Sequence, residues 1–150
     1  MLKLLVGLCL AFFTNCSTPA PKEKGPEEIS PDHVCALDGM LVSTHAGPKA
    51  QLVRQNGDRA FFCDAKEIFE EVLDPRRGRR VDTVWFQVLD HAPWESHPGG
   101  WAIAETLYFV GGSAKNGPMG PTLVPFTEKE KATAFVTRHG GQIYRYQEIN

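Results

Sequence analysis

The stretch from Ala50 to Leu73, AQLVRQNGDRAFFCDAKEIFEEVL, changes its hydrophobic period part-way, and that change decides the fold. AQLVR (50–54) reads as a strand, and QNGD (55–58) centres the Asn-Gly pair that turns a hairpin. RAFFC (59–63) is the return strand. From Asp64 the pattern becomes helical: Asp64 is an N-cap, and Glu67 three residues on completes a capping box. Ile68, Phe69, Val72 and Leu73 then fall on one helix face. Asp74-Pro75 ends that helix, and VDTVWFQVL (81–89) supplies a further strand. The unit is β-β-α-β.

Toward the C-terminus the same order returns. WAIAETLYFV (101–110) reads as extended, Gly111 to Gly120 as a glycine-rich loop, and PTLVPF (121–126) as a strand confined by Pro125 to a sheet edge. Thr127 and Glu130 form a second capping box, and Ala132, Phe135 and Val136 face inward. Gly140 sits where a helix C-cap glycine belongs, and QIYRY (142–146) closes as a strand. Two such units make an α+β class.

Toward the N-terminus, LLVGLCLAFF (4–13) follows Lys3 and is too short to span a bilayer as a helix. Thr14 and Asn15 precede Cys16, and STPAP follows it. This resembles a bacterial lipoprotein signal (residues 1–15) with Cys16 as the acylated first residue of the mature chain. Phe13 and Asn15 stand where a Leu and a small residue are usual. Residues 16–31 are rich in Pro, Lys and Glu, the composition of a flexible tether, so the folded domain is expected over 32–150. Ser17 in place of Asp directs the anchor to the outer rather than the inner membrane. A net charge of -2 argues against nucleic acid as a partner.

Of four cysteines, Cys9 leaves with the signal and Cys16 carries lipid, so Cys35 and Cys63 remain. In an oxidising compartment such a pair commonly forms a disulfide. The alternative is chemistry. Cys35 and Met40 are five apart with Gly39 between them, so a sharp turn brings a thiolate and a thioether together, donors that suit Cu(I). His33 and His45 flank the segment. Met119, set among Gly117, Pro118, Gly120 and Pro121, projects from a stiff loop or fills a gap. Cys63, just before the N-cap, is either an activated thiol or a buried inert one. His91 and His97 lack metal-site spacing and read as a surface loop over Trp94 and Trp101. The arginines 76, 77, 79 and 80 read as a solvated turn. No Gly-x-Ser-x-Gly elbow, phosphate loop or CxxC is present.

VCALDGM (34–40), GPKAQ (47–51), FFCD (61–64) and MGPT (119–122), in that order and separation, resemble the NosL family of nitrous oxide reductase accessory lipoproteins. The likeness spans Asp32 to Ile149. It implies a periplasmic, lipid-anchored Cu(I) chaperone rather than an enzyme, serving assembly of the copper-sulfide centre of nitrous oxide reductase. The implied partners are that enzyme, its membrane-bound maturation machinery and the bilayer. The implied fold packs two treble-clef-like ββα(β) repeats together, as in the organomercurial lyases. Cys35 and Met40 match the family's Cys…Gly-Met element and Met119 its Met-Gly-Pro loop. His45, ahead of Gly-Pro-Lys, is a further imidazole candidate, and Cys63 matches the Phe-Cys position. Two rivals remain open: a thiol enzyme with Asp38 or Asp64 as proton donor, and a disulfide-stabilised structural lipoprotein.

Overall fold

A computed structural model describes residues 25–95 and 100–150. Cys16, the signal segment and His97 lie outside the described residues. Strand β1 (Ala50–Arg54) pairs on one side with β2 (Arg59–Phe62) and on the other with β3 (Val81–Gln87), which pairs with β4 (Trp101–Ile103). The second sheet has β5 (Tyr108–Gly117) between β6 (Gly120–Phe126) and β7 (Gln142–Arg145). Helix α1 (Ile68–Val72) lies between β2 and β3 in the chain, and α2 (Lys129–His139) between β6 and β7. In each repeat the first strand is central and its partners run antiparallel. The ββαβ order expected from the pattern is therefore present twice.

The two repeats share one wall of the core. Phe62, Phe69 and Phe86 of the first repeat are buried with Leu107 and Phe109 of the second, and the Phe86 and Phe109 rings meet edge-on at 4.9 Å. Aromatic pairs of this kind add about 0.5–1.5 kcal/mol beyond area burial. A smaller cluster, with Val110, Val124, Phe126, Ala132 and Phe135, lies under α2.

Four expectations need correction. WAIAETLYFV is not one strand: a 3-10 turn over Ala104–Thr106 divides it, so β4 joins the first sheet and β5 the second. The glycine-rich stretch is not a loop but a hairpin, with β5 running to Gly117 and the turn at 118–119. Gly111 lies in that hairpin because a Cβ there would stand 3.1 Å from Leu123 and 3.2 Å from Tyr144. Thr127 is not an N-cap of the expected kind; its N–H and hydroxyl both donate to the Asp90 carboxylate. Residues 25–31 do not hang free. Glu27 exchanges main-chain hydrogen bonds of 2.9 Å with the buried Gln51 amide, Arg59 donates to the Gly25 carbonyl, and Ile29 packs on the core. A polar segment docks here because a buried glutamine on β1 requires hydrogen-bond partners.

Candidate metal centre

The segment 34–41 is drawn into a tight loop by its own hydrogen bonds. Cys35 N–H donates to the Met40 carbonyl (2.7 Å), and Gly39 N–H donates to the Cys35 carbonyl (2.9 Å). Gly39 takes a φ of 78°, where a side chain is strained. Asp38 Oδ1 accepts the Met40 N–H at 3.0 Å. The loop rests on the end of β2, where Ala36 N–H donates to the Phe61 carbonyl (2.8 Å) and Cys35 bridges to Phe61. Two residues beyond Phe61, just past the end of β2, comes Cys63.

Both thiols are free and buried, Cys35 at 2% exposure and Cys63 at 0%. They converge on one carboxylate: as thiols, each donates to Glu67 Oε2 at 3.3 Å. Glu67 reaches them because the turn that precedes α1 brings it back toward Cys63, and the same oxygen accepts the Asp64 N–H at 3.2 Å. That bond is one half of the capping box expected at Asp64; the Asp64 carboxylate serves Lys66 N–H (2.8 Å) instead of Glu67 N–H. The ligand atoms of Cys35, Asp38, Cys63 and Glu67 all lie within 4.8 Å of one another.

The two thiols differ in acidity. Cys35 is held below the ordinary thiol range, chiefly by hydrogen bonding from the neighbouring Cys63 thiol, against an opposing effect of burial. Cys63 is pushed up by that same bond to Cys35, then by burial and by the nearby charges of Cys35 and Glu67.

Lys49 organises the back of the site. Its ammonium, fully buried, donates to the carbonyls of His45 (2.6 Å), Ala46 (3.2 Å) and Cys63 (3.0 Å). Burial lowers it to about 8, opposed by Cys63, Asp64 and Glu67. This explains why GPKAQ and FFCD meet: the lysine of one motif holds the cysteine carbonyl of the other.

Met119 lies at the tip of the β5–β6 hairpin, 60% exposed. It lines, with Leu37, Asp64, Lys66, Glu67, Glu70 and Pro121, an opening of about 150 Å³. Met40 lies partly buried against the core on the Cys35 loop. His45 offers only its carbonyl, to Lys49, and neither it nor His91 belongs to the cysteine cluster among the described residues. Arg77 pairs with Glu71 (3.1 Å) and Asp74 (3.3 Å), which makes the arginine segment the solvated turn expected of it. Glu67 is the site residue the sequence hid: its position was absorbed by the capping box, although Cys63 and Glu67 four apart was the signal.

A family model for NosL matches residues 26–150. The chain belongs to the NosL family. The copper-binding lipoprotein NosL of Stutzerimonas stutzeri is 29% identical over 150 residues, covering 97% of this chain and 78% of that protein. The copper-binding lipoprotein NosL of Achromobacter cycloclastes is 27% identical, with the same coverage. The crystal structure of the copper chaperone NosL from Shewanella denitrificans superposes with a TM-score of 0.82 at 32% identity, over 85% of this chain and 97% of that one. The solution structure of the apo-NosL protein from Achromobacter cycloclastes agrees less closely, with a TM-score of 0.52 at 28% identity over 67% and 83%. These names describe copper binding and chaperoning rather than catalysis, in agreement with the expectation that no reaction is carried here. The four motif blocks that resemble NosL also meet in space: the Cys35 loop rests on Phe61, Lys49 holds Cys63, and Asp64 takes the Thr122 hydroxyl.

Proposed function

We propose that this chain is a periplasmic, lipid-anchored carrier of Cu(I). It would take the ion at Cys35 and Cys63 with thioether help from Met119 and Met40, and deliver it for assembly of the copper-sulfide centre of nitrous oxide reductase. The observation that carries this reading is the pair of buried free thiols sharing Glu67 at 3.3 Å, a residue that also lines a small opening together with Met119. Thiolate and thioether are the donors that select a monovalent soft ion, and burial of the thiols shields them and their cargo from water. The relatives' names, copper-binding lipoprotein and copper chaperone, favour the same cargo.

Delivery would proceed by ligand exchange: an incoming soft donor binds before one of the chain's own leaves. Met119, neutral and exposed, is the donor most readily exchanged, whereas the thiolates set the affinity. His45 enters only if its loop moves. Acylation of Cys16 would hold the domain at the bilayer, in the outer membrane by the Ser17 criterion, and raise its local concentration near membrane-bound maturation partners.

The test is transfer. The full chain, loaded anaerobically with Cu(I), is mixed with copper-free nitrous oxide reductase, and copper on each protein is measured after separation. Copper moving to the reductase from wild type but not from Cys35→Ser supports the reading. Retention of all copper by the wild type, or failure to load it, would refute it. An organomercurial turnover assay on the same preparation addresses the thiol-enzyme rival and is expected to give no product.

A further inference from the structure

Asp64 is the residue through which the two repeats touch beside the cysteines. Its main chain belongs to the first repeat, where its N–H donates to the Glu67 oxygen that receives both thiols. Its carboxylate faces the second. Oδ1 accepts from the buried Thr122 hydroxyl on β6, and Oδ2 lies so close over Gly117 that a methyl group there would overlap it. Gly117 pairs with Gly120 across the end of the hairpin, and Met119 stands between them. The carboxylate is 2% exposed, and Oδ2 meets no hydrogen-bond donor among the described residues. A buried carboxylate with one idle oxygen is costly.

The hairpin needs such an anchor. Its register is irregular between Gly111 and Asn116, and Gly112 and Gly120 take φ of 71° and 95°. An untethered tip would lose conformational freedom whenever Met119 engaged an ion, and prior anchoring removes that loss.

We propose that Asp64 is a positioning residue for copper binding: it clamps the β5–β6 hairpin so that Met119 stays at the opening it lines with Glu67, the residue both thiols share. This rests on the reading above, that Met119 supplies a donor. Partners that orient a metal ligand typically change affinity about 10–100-fold when removed.

The full chain, purified anaerobically with ¹³C-methyl methionine, is titrated with Cu(I) against a chromogenic chelator, and its methyl resonances are followed. In the wild type the Met119 methyl shifts on loading. Asp64→Ala abolishes that shift and weakens Cu(I) binding by roughly 10-fold. The Asp64→Ala/Met119→Leu double variant binds no more weakly than Met119→Leu alone, since the two act through one contact. Asp64→Asn, which keeps an oxygen for Thr122, restores the shift. Thr122→Val removes the same hydrogen bond from the other side without touching the cysteine turn, and it carries the test if Asp64→Ala does not fold. A Met119 shift that survives in Asp64→Ala or Thr122→Val, or additive losses in the double variant, overturns the proposal. If Met119→Leu leaves binding unchanged, this inference falls with the donor role of Met119, while Cys35→Ser still tests whether the cysteines hold copper.

Discussion

The two repeats share a frame and differ in what they do at the strand-to-helix junction. In the first, β2 runs into Cys63, Asp64 and Glu67, whose buried polar atoms bind thiols, main chain and the other repeat. The helix that follows has 5 residues. In the second, β6 runs into the exposed Thr127 and Glu128, of which Thr127 is held by Asp90, and the helix has 11 residues and ends on Gly140. The contrast is a division of labour: one copy carries a buried thiol–carboxylate cluster ahead of a short helix. The other stays regular and contributes a single projecting methionine.

Breaking the chemical repeat should have the largest effect. Cys35→Ser is expected to lower Cu(I) affinity on the order of 1,000-fold, ~4 kcal/mol, in anaerobic competition with a chromogenic chelator. The thermal midpoint should change little, because a serine fits the same loop. Next, Lys49→Met should destabilise the fold by about 2–3 kcal/mol in urea unfolding, since three carbonyls lose a charged donor.

The pH dependence of that variant has a definite sign. Lys49 is lowered in the fold to about 8, below its unfolded value of about 10.4, so between these the unfolded chain binds more protons. Its contribution to stability is least below pH 8 and rises as pH climbs through that window. The gap between wild type and Lys49→Met should therefore widen toward pH 10, and a constant gap would argue against a strained buried ammonium.

Smaller effects sharpen the role of the regular repeat. Met119→Leu should weaken Cu(I) binding roughly 10-fold, ~1.4 kcal/mol, without affecting unfolding. Thr127→Ala should cost about 1 kcal/mol of stability by releasing the Asp90 contact at the start of α2, with copper affinity unchanged. A copper effect in Thr127→Ala would blur the division between the repeats.

Much of this was legible in the chain itself. The Asn-Gly hairpin, the apolar face of α2, Ile68 and Phe69 of α1, and Gly140 mark local structure, and local rules suffice for them; Leu73, expected on the same α1 face, lies past the helix end and is half exposed. Asp90 at the start of α2 was not legible, because its contact with Thr127 spans 37 residues and leaves no periodic trace. Gly111 misled for a related reason: glycine suits a loop and a close approach equally, and only Tyr144 and Leu123 across the sheet decide between them. In the site, Cys35, Cys63 and Met119 were readable as soft donors. Glu67 was masked by its capping role, and His45, expected as an imidazole contributor ahead of Gly-Pro-Lys, gives its main-chain carbonyl to Lys49. Residues 25–31 have a tether's composition, yet an extended polar segment can satisfy a buried Gln51 from outside.

The central claim is that sulfur from both buried cysteines holds one monovalent copper ion. X-ray absorption at the copper edge, on the full chain loaded anaerobically with one equivalent of Cu(I), tests it most directly. A cuprous edge and a nearest shell dominated by sulfur are expected, with one sulfur fewer in Cys63→Ser. A shell of nitrogen and oxygen alone, or one identical in wild type and Cys63→Ser, would contradict it.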